Sequence, residues 1–307
     1  MGLYSGCDQI VQRVFLILFC LILLVGCAEQ SAIPEEPGSS ASQDEAQPYF
    51  GLTLPSSTVT RFAPQIFREE MHSAPIFTPD GREVYFSLMD QPGGVRYMKI
   101  EKGAWTDPAP APFDRLKLGD SPFISSNGNH LLFLSWSLAG KETIHQVDRE
   151  NGDWGSRTQL PDEVNQNGAH WQASMADNGN LYFGSEGLIY FAKYVDGGYL
   201  DAKVFNLAGN LAGGYAGSPF IAPDESYLIF DIAGNRYADL YITFKDDEGE
   251  WKEPVAMEGL NSPAHDLYAN VSPDGRFIMF LSSRSGILLP YWVDGEIIAE
   301  IGQSQGD

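Results

Sequence analysis

Cysteine is almost missing from this chain. Cys7, Cys20 and Cys27 are the three, and none follows them. That excludes a disulfide framework and a thiolate metal centre in the body of the protein. Basic residues are scarce as well, with 19 Lys and Arg against 41 Asp and Glu, a formal net charge of -22. Nucleic acid and anionic lipid surfaces would both repel such a chain. No apolar run is long enough for a permanent membrane-spanning helix, and long runs at helical period are absent. There is also no Gly-x-Ser-x-Gly elbow, no Walker loop, no Cys pair and no His-Glu-x-x-His. The chemistries that depend on those motifs are left without their residues.

The longest apolar run covers residues 14–25, interrupted only by Cys20, with Arg13 before it and Gly26-Cys27 after it. Twelve residues suit a secretory signal. Leu24-Val25-Gly26-Cys27 resembles the bacterial lipobox, which implies cleavage after residue 26 and lipidation of Cys27. The expected divisions are a signal peptide at 1–26, a lipidated Cys and flexible tether at 27–48, a folded domain at 49–302 and a tail at 303–307. The tether between residues 28 and 47 has five acids, no bases and no aromatics, a composition that cannot bury enough apolar surface to order itself. The expected location is the cell envelope, lipid-anchored, at the outer membrane if the host has two membranes. The membrane is then met through the lipid alone.

Glycine (32), tyrosine (14) and phenylalanine (18) are plentiful, and they recur in order. Thr78-Pro79-Asp80-Gly81 runs into the β-prone Val84-Tyr85-Phe86. Comparable turns begin at Ser125, Ala176, Ala222 and Ser272, each ahead of an apolar strand. Pro presets φ, Asp or Asn bonds to backbone ahead of it, and Gly accepts positive φ. A second signature follows the first four turns: a strand, a Gly-bearing hairpin, then Trp105, Trp154, Tyr199 or Trp251. A period near 50 residues with four strands per unit predicts an all-β propeller of four-stranded blades. Five blades fit the count, and six is the alternative. The fifth unit lacks its last strand, while residues 59–67 form a strand with no blade. That N-terminal strand is expected to complete the last blade, closing the ring and removing its open edges.

The turn-strand phrase, the later Gly-x-Trp-x-x-Pro and the opening Phe62-Ala63-Pro64 resemble the WD-like Pro-Asp-Gly propellers of the TolB type. The turns at Asn127 and Asn178 depart from Pro-Asp, and Glu225 stands where Gly is expected. In this architecture the first strand of each blade lines the central channel.

Counting back from each turn by one offset brings His72, Asp120, His170 and Asp266 to the axis, with Gln172, Tyr215 and His265 beside them. These seven are the candidate ligand-binding residues. His72, His170 and His265 form a possible divalent-cation set, because imidazoles with a carboxylate suit transition metals. Some propeller lyases acting on acidic oligosaccharides resemble this, holding manganese with channel histidines. Glycoside cleavage would need two carboxylates, and Asp120 and Asp266 are the acids at the repeat offset. The charged tips at residues 148–150 and 245–250 read as solvated, and the recurrent tryptophans as packing between blades.

The functional expectation is a binding or protein-interaction module of the cell envelope, facing a protein or carbohydrate partner, with no cofactor required and no nucleic acid bound. The alternative is a metal-dependent carbohydrate-active enzyme, lyase or glycosidase, with its site in the channel.

Overall fold

The computed structural model describes residues 46–89, 94–136, 141–168, 170–207 and 214–305. The apolar leader and Cys27 lie outside these, and among the described residues no helix is long and apolar enough to cross a membrane.

Each 50-residue unit folds into one antiparallel blade sheet, five among the described residues, with a separate two-stranded hairpin, Tyr194–Val195 and Gly198–Tyr199, in the third unit. Blade 1 runs Met71–Phe77, Glu83–Leu88 and Val95–Glu101, with Ala104–Trp105 and Ala109–Pro110 at its outer edge. Blade 2 repeats this with Gly119–Ile124, His130–Trp136 and Glu142–Glu150. Blade 3 uses His170–Met175, Leu181–Ser185, Leu188–Ala192 and Lys203–Val204. Blade 4 uses Tyr215–Ile221, Tyr227–Ala233, Ala238–Phe244 and Val255–Ala256. Blade 5 has three strands of its own, Asp266–Val271, Phe277–Ser282 and Leu289–Asp294. Its fourth is Thr60–Arg61, in register with Trp292 and Tyr291. The ring is five-bladed and closed as expected, by a strand shorter than residues 59–67. Ala63 takes φ 38° ahead of Pro64, which ends the pairing.

The recurring turn works through side-chain oxygen. Thr78 Oγ1 donates to Asp80 and accepts from the Glu83 N–H, while Asp80 accepts from the Arg82 N–H at 3.0 Å. Ser125 with Asn127, and Ser272 with Asp274, repeat the arrangement. Asn can replace Asp because only the acceptor oxygen is used. Glu225 adopts φ 58° where the other turns place Gly. Its carboxylate accepts from Asn178, Asn180 and the Tyr182 hydroxyl and pairs with Lys245, so the departure from glycine clasps blade 3 to blade 4.

Blade seams hold the core. Trp154 donates its indole N–H to the Tyr85 hydroxyl at 2.6 Å, and Trp251 meets Phe205 edge-on at 5.3 Å. The tip at residues 148–150 is not merely solvated. Arg149 pairs with Glu83 of blade 1 and stacks over Trp154, because a hairpin tip beside a seam can reach across it. Asp114, Asn165 and Asn261 stand five residues ahead of an inner strand, and each accepts the backbone N–H of a third-strand residue: Val95, Ile144 and Leu240. A C-terminal helix, Glu296–Ser304, lies where the last unit lacks its Trp hairpin and packs Ile297, Ile298 and Ile301 on the core.

Candidate functional site at the propeller axis

The inner strands of the blades start at one end of the axis, and each is irregular there. Their registers slip at Ser73–Ile76, Asp120–Phe123, Trp171–Ala173, Gly217–Phe220 and Leu267–Asn270. In four blades the slip carries a non-glycine residue at positive φ, namely Ser121, Gln172, Ser218 and Tyr268. Bulges re-aim side chains and end pairing, and backbone strain of this kind clusters at functional sites.

At that end His72, Asp120, Ser121, Glu142, His170 and Trp171 line a cavity of about 490 Å³, with Trp136 and Tyr268 also on its wall. The volume is in the range of small-ligand sites. Trp136 is 46% exposed and Trp171 36%, so both indoles meet solvent at the cavity. His72 and Asp120 form an ion pair. Hydrogen bonding to that carboxylate, against the opposing effect of burial, raises the His72 pKa.

Glu142 opens the third strand of blade 2 and accepts the His170 backbone N–H at 2.7 Å. Burial pushes its pKa up to about 7, and the Asp120 charge adds to this against the His170 bond. His170 is 1% exposed, and its ring lies against the Glu142 and Val164 carbonyls without well-formed hydrogen-bond geometry. Burial, with a contribution from Lys141, lowers its pKa to about 4, so the imidazole is neutral at pH 7. The Ser121 hydroxyl is buried and has no hydrogen-bond partner among the described residues.

Of the seven residues found by offset, three meet at this cavity: His72, Asp120 and His170. Gln172 is buried, and its amide donates to the carbonyls of Ser218, Pro219 and Ala269, tying blades 3, 4 and 5 together. Tyr215 is 64% exposed, with its ring against Gly187 of blade 3, where any Cβ would collide with it. His265 accepts the Ala238 N–H and meets Tyr237 edge-on, at the seam of blades 4 and 5. Asp266 is 0% exposed, pairs with Arg284 and accepts both the Ser262 N–H and hydroxyl. Among the described residues no three His, Cys, Asp or Glu side chains are grouped to hold a metal ion. The offset missed Ser121, Glu142, Trp136 and Tyr268. It follows inner strands only, whereas Trp136 ends the second strand of blade 2 and Glu142 opens the third; Ser121 and Tyr268 lie inside the register slips.

A carboxyl held near pH 7 by burial weakens the fold. Its pKa rises from 4.5 in the unfolded chain, so stability falls as pH climbs from about 4.5 to 7 and stays lowered above that. Glu142→Gln keeps an acceptor for His170 and removes the charge. The variant is expected to gain about 1–3 kcal/mol at pH 8 and nothing at pH 4, read from urea unfolding at both pH values.

No protein-family model matches the chain, and no curated protein matches it. Solved structures do. A structure of putative TolB from Agrobacterium tumefaciens aligns over 73% of this chain and 77% of its own, at 15% identity and TM-score 0.50. TolB from Acinetobacter baumannii aligns over 75% of this chain at 15% identity and TM-score 0.48. Xylan β-1,4-xylosidase from Bacillus halodurans C-125 aligns over 74% at 13% identity and TM-score 0.50. This chain spans 53% of the length of each of the latter two. At such identities the likeness is one of fold, which several activities share. In fold, the chain is a five-bladed β-propeller, similar to the structure of the putative TolB.

Proposed function

We propose that this protein is an exported lipoprotein of the cell envelope whose propeller is a binding module, with its ligand site at the axial cavity. The anchor is Cys27, inferred from the lipobox-like leader. One observation carries the binding reading. Blades 1, 2 and 3 converge His72, Asp120, Glu142, His170 and Trp171 on one open cavity, where the buried Ser121 hydroxyl has no partner among the described residues. Proteins seldom leave such atoms unmet, since each costs roughly 1–3 kcal/mol. A ligand that supplies the missing bond accounts for it.

The test uses tryptophan fluorescence of the propeller, titrated separately with a basic peptide, a neutral oligosaccharide and a uronate oligosaccharide. At least one probe is expected to give a saturable change that Trp171→Ala abolishes. Failure of all three would remove the reading.

The alternative, a carbohydrate-active enzyme, is favoured by one feature. Asp120 and Glu142 share the cavity, and Glu142 keeps a proton near neutral pH, as a general acid requires. Release of reducing ends from the neutral oligosaccharide would select it over simple binding.

A further inference from the structure

We infer that the axial cavity takes a neutral carbohydrate ring, seated against Trp171 and Trp136 and hydrogen-bonded by Ser121 and Glu142. This rests on the cavity being the binding site and names the class of ligand that belongs there.

Donors and acceptors of a ligand must match those on the wall. The Ser121 hydroxyl donates once and accepts. It is buried on the cavity wall with no partner among the described residues. A metal ion or an ammonium group brings no acceptor, so it would leave the Ser121 O–H unmet. An anion brings acceptors only, and it would face Asp120 and Glu142 within a chain of net charge -22. A sugar hydroxyl donates and accepts, and can meet both the Ser121 hydroxyl and the Glu142 carboxyl.

The charges already present point the same way. His72 and Asp120 pair directly with each other on the cavity wall, and no Lys or Arg is among its described lining residues. The two partly exposed indoles offer flat apolar faces, which suit the C–H face of a pyranose ring beside its polar rim. The volume, about 490 Å³, admits one or two such rings with their water.

The experiment titrates the propeller by calorimetry with the neutral tetrasaccharides of glucose, xylose and N-acetylglucosamine, and with an oligolysine peptide. Each is run at 50 mM and 500 mM salt. Circular dichroism checks the fold of every variant.

At least one tetrasaccharide is expected to bind, with affinity nearly independent of salt because no charge is matched. Trp171→Ala, at a partly exposed site, and the milder Ser121→Ala are each expected to weaken it, the former at least ~10-fold. Oligolysine is expected to give no saturable heat.

Salt-sensitive binding of oligolysine alone would overturn the carbohydrate assignment while leaving the binding module intact. Sugar binding untouched by both variants would place the ligand elsewhere on the ring and overturn the site. Silence from all four probes would defeat the assignment together with the reading beneath it.

Discussion

Replacing Arg284 with methionine is expected to destabilise the protein by about 3–5 kcal/mol, more than any change inside the axial cavity. Asp266 is fully buried, and Arg284 is its charged partner at 2.8 Å. The same guanidinium also donates to the Leu260 carbonyl and lies over Tyr291 at 4.9 Å. Methionine keeps much of the stem packing but removes the charge, leaving a buried carboxylate with only the two Ser262 donors. Removing both charges with Asp266→Asn is expected to return most of the loss, since the penalty lies in the unmatched partner and not in the pair itself. Urea unfolding of the two single variants and the double variant measures this. Additive losses would mean that the two side chains act separately. Probe binding at the axis should be the same in all of them, because Asp266 and Arg284 do not line that cavity.

Asp266 also shows how far the sequence could be read. The turns at Thr78, Ser125, Ala176, Ala222 and Ser272 repeat a chemistry that depends on local residues, so the blade count and the closing strand were legible from them. A fixed offset from those turns locates depth along an inner strand. It does not locate direction, because alternation of side chains survives only while the register is unbroken. In blade 5 the register slips between Leu267 and Asn270, and Tyr268 at φ 55° lines the cavity instead of Asp266. Asp266 also stands one place earlier than Asp120: it opens its strand as Gly119 does in blade 2, whereas Asp120 is the second paired residue and reaches the cavity.

Other features were hidden for different reasons. Glu142 becomes special only through burial and neighbours from blades 1 and 3, which are remote in sequence. The helix Glu296–Ser304 is too short to announce itself by periodicity, and its three isoleucines act by packing on the finished core. Asp114, Asn165 and Asn261 were within reach, since each stands the same distance ahead of an inner strand. Polar residues in loops are common enough to conceal that spacing.

Phe62→Ala is expected to lower the melting temperature by on the order of 10 °C, through a loss of roughly 3–5 kcal/mol. The reason lies in how little hydrogen bonding closes the ring. Thr60 and Arg61 pair with blade 5, and two more backbone bonds join them, from the Phe62 N–H to the Pro290 carbonyl and from the Asp294 N–H to the Ser56 carbonyl. Such a short strand cannot hold a sheet edge by its ladder alone. What fixes it is packing. Phe62 is 0% exposed, meets Trp292 at 4.9 Å and Phe67 at 5.6 Å, and belongs to an aromatic cluster shared by the closing segment and blades 1 and 5. Alanine leaves a cavity where the closing strand, blade 1 and blade 5 meet. The loss should therefore be local before it is global, with amide exchange accelerating first in residues 289–294. Phe183→Ala, a comparable deletion in the core of blade 3, should lower stability similarly without that selective opening. Equal exchange of residues 289–294 in the two variants would mean that the aromatic cluster stabilises the fold without acting as the clasp of the ring.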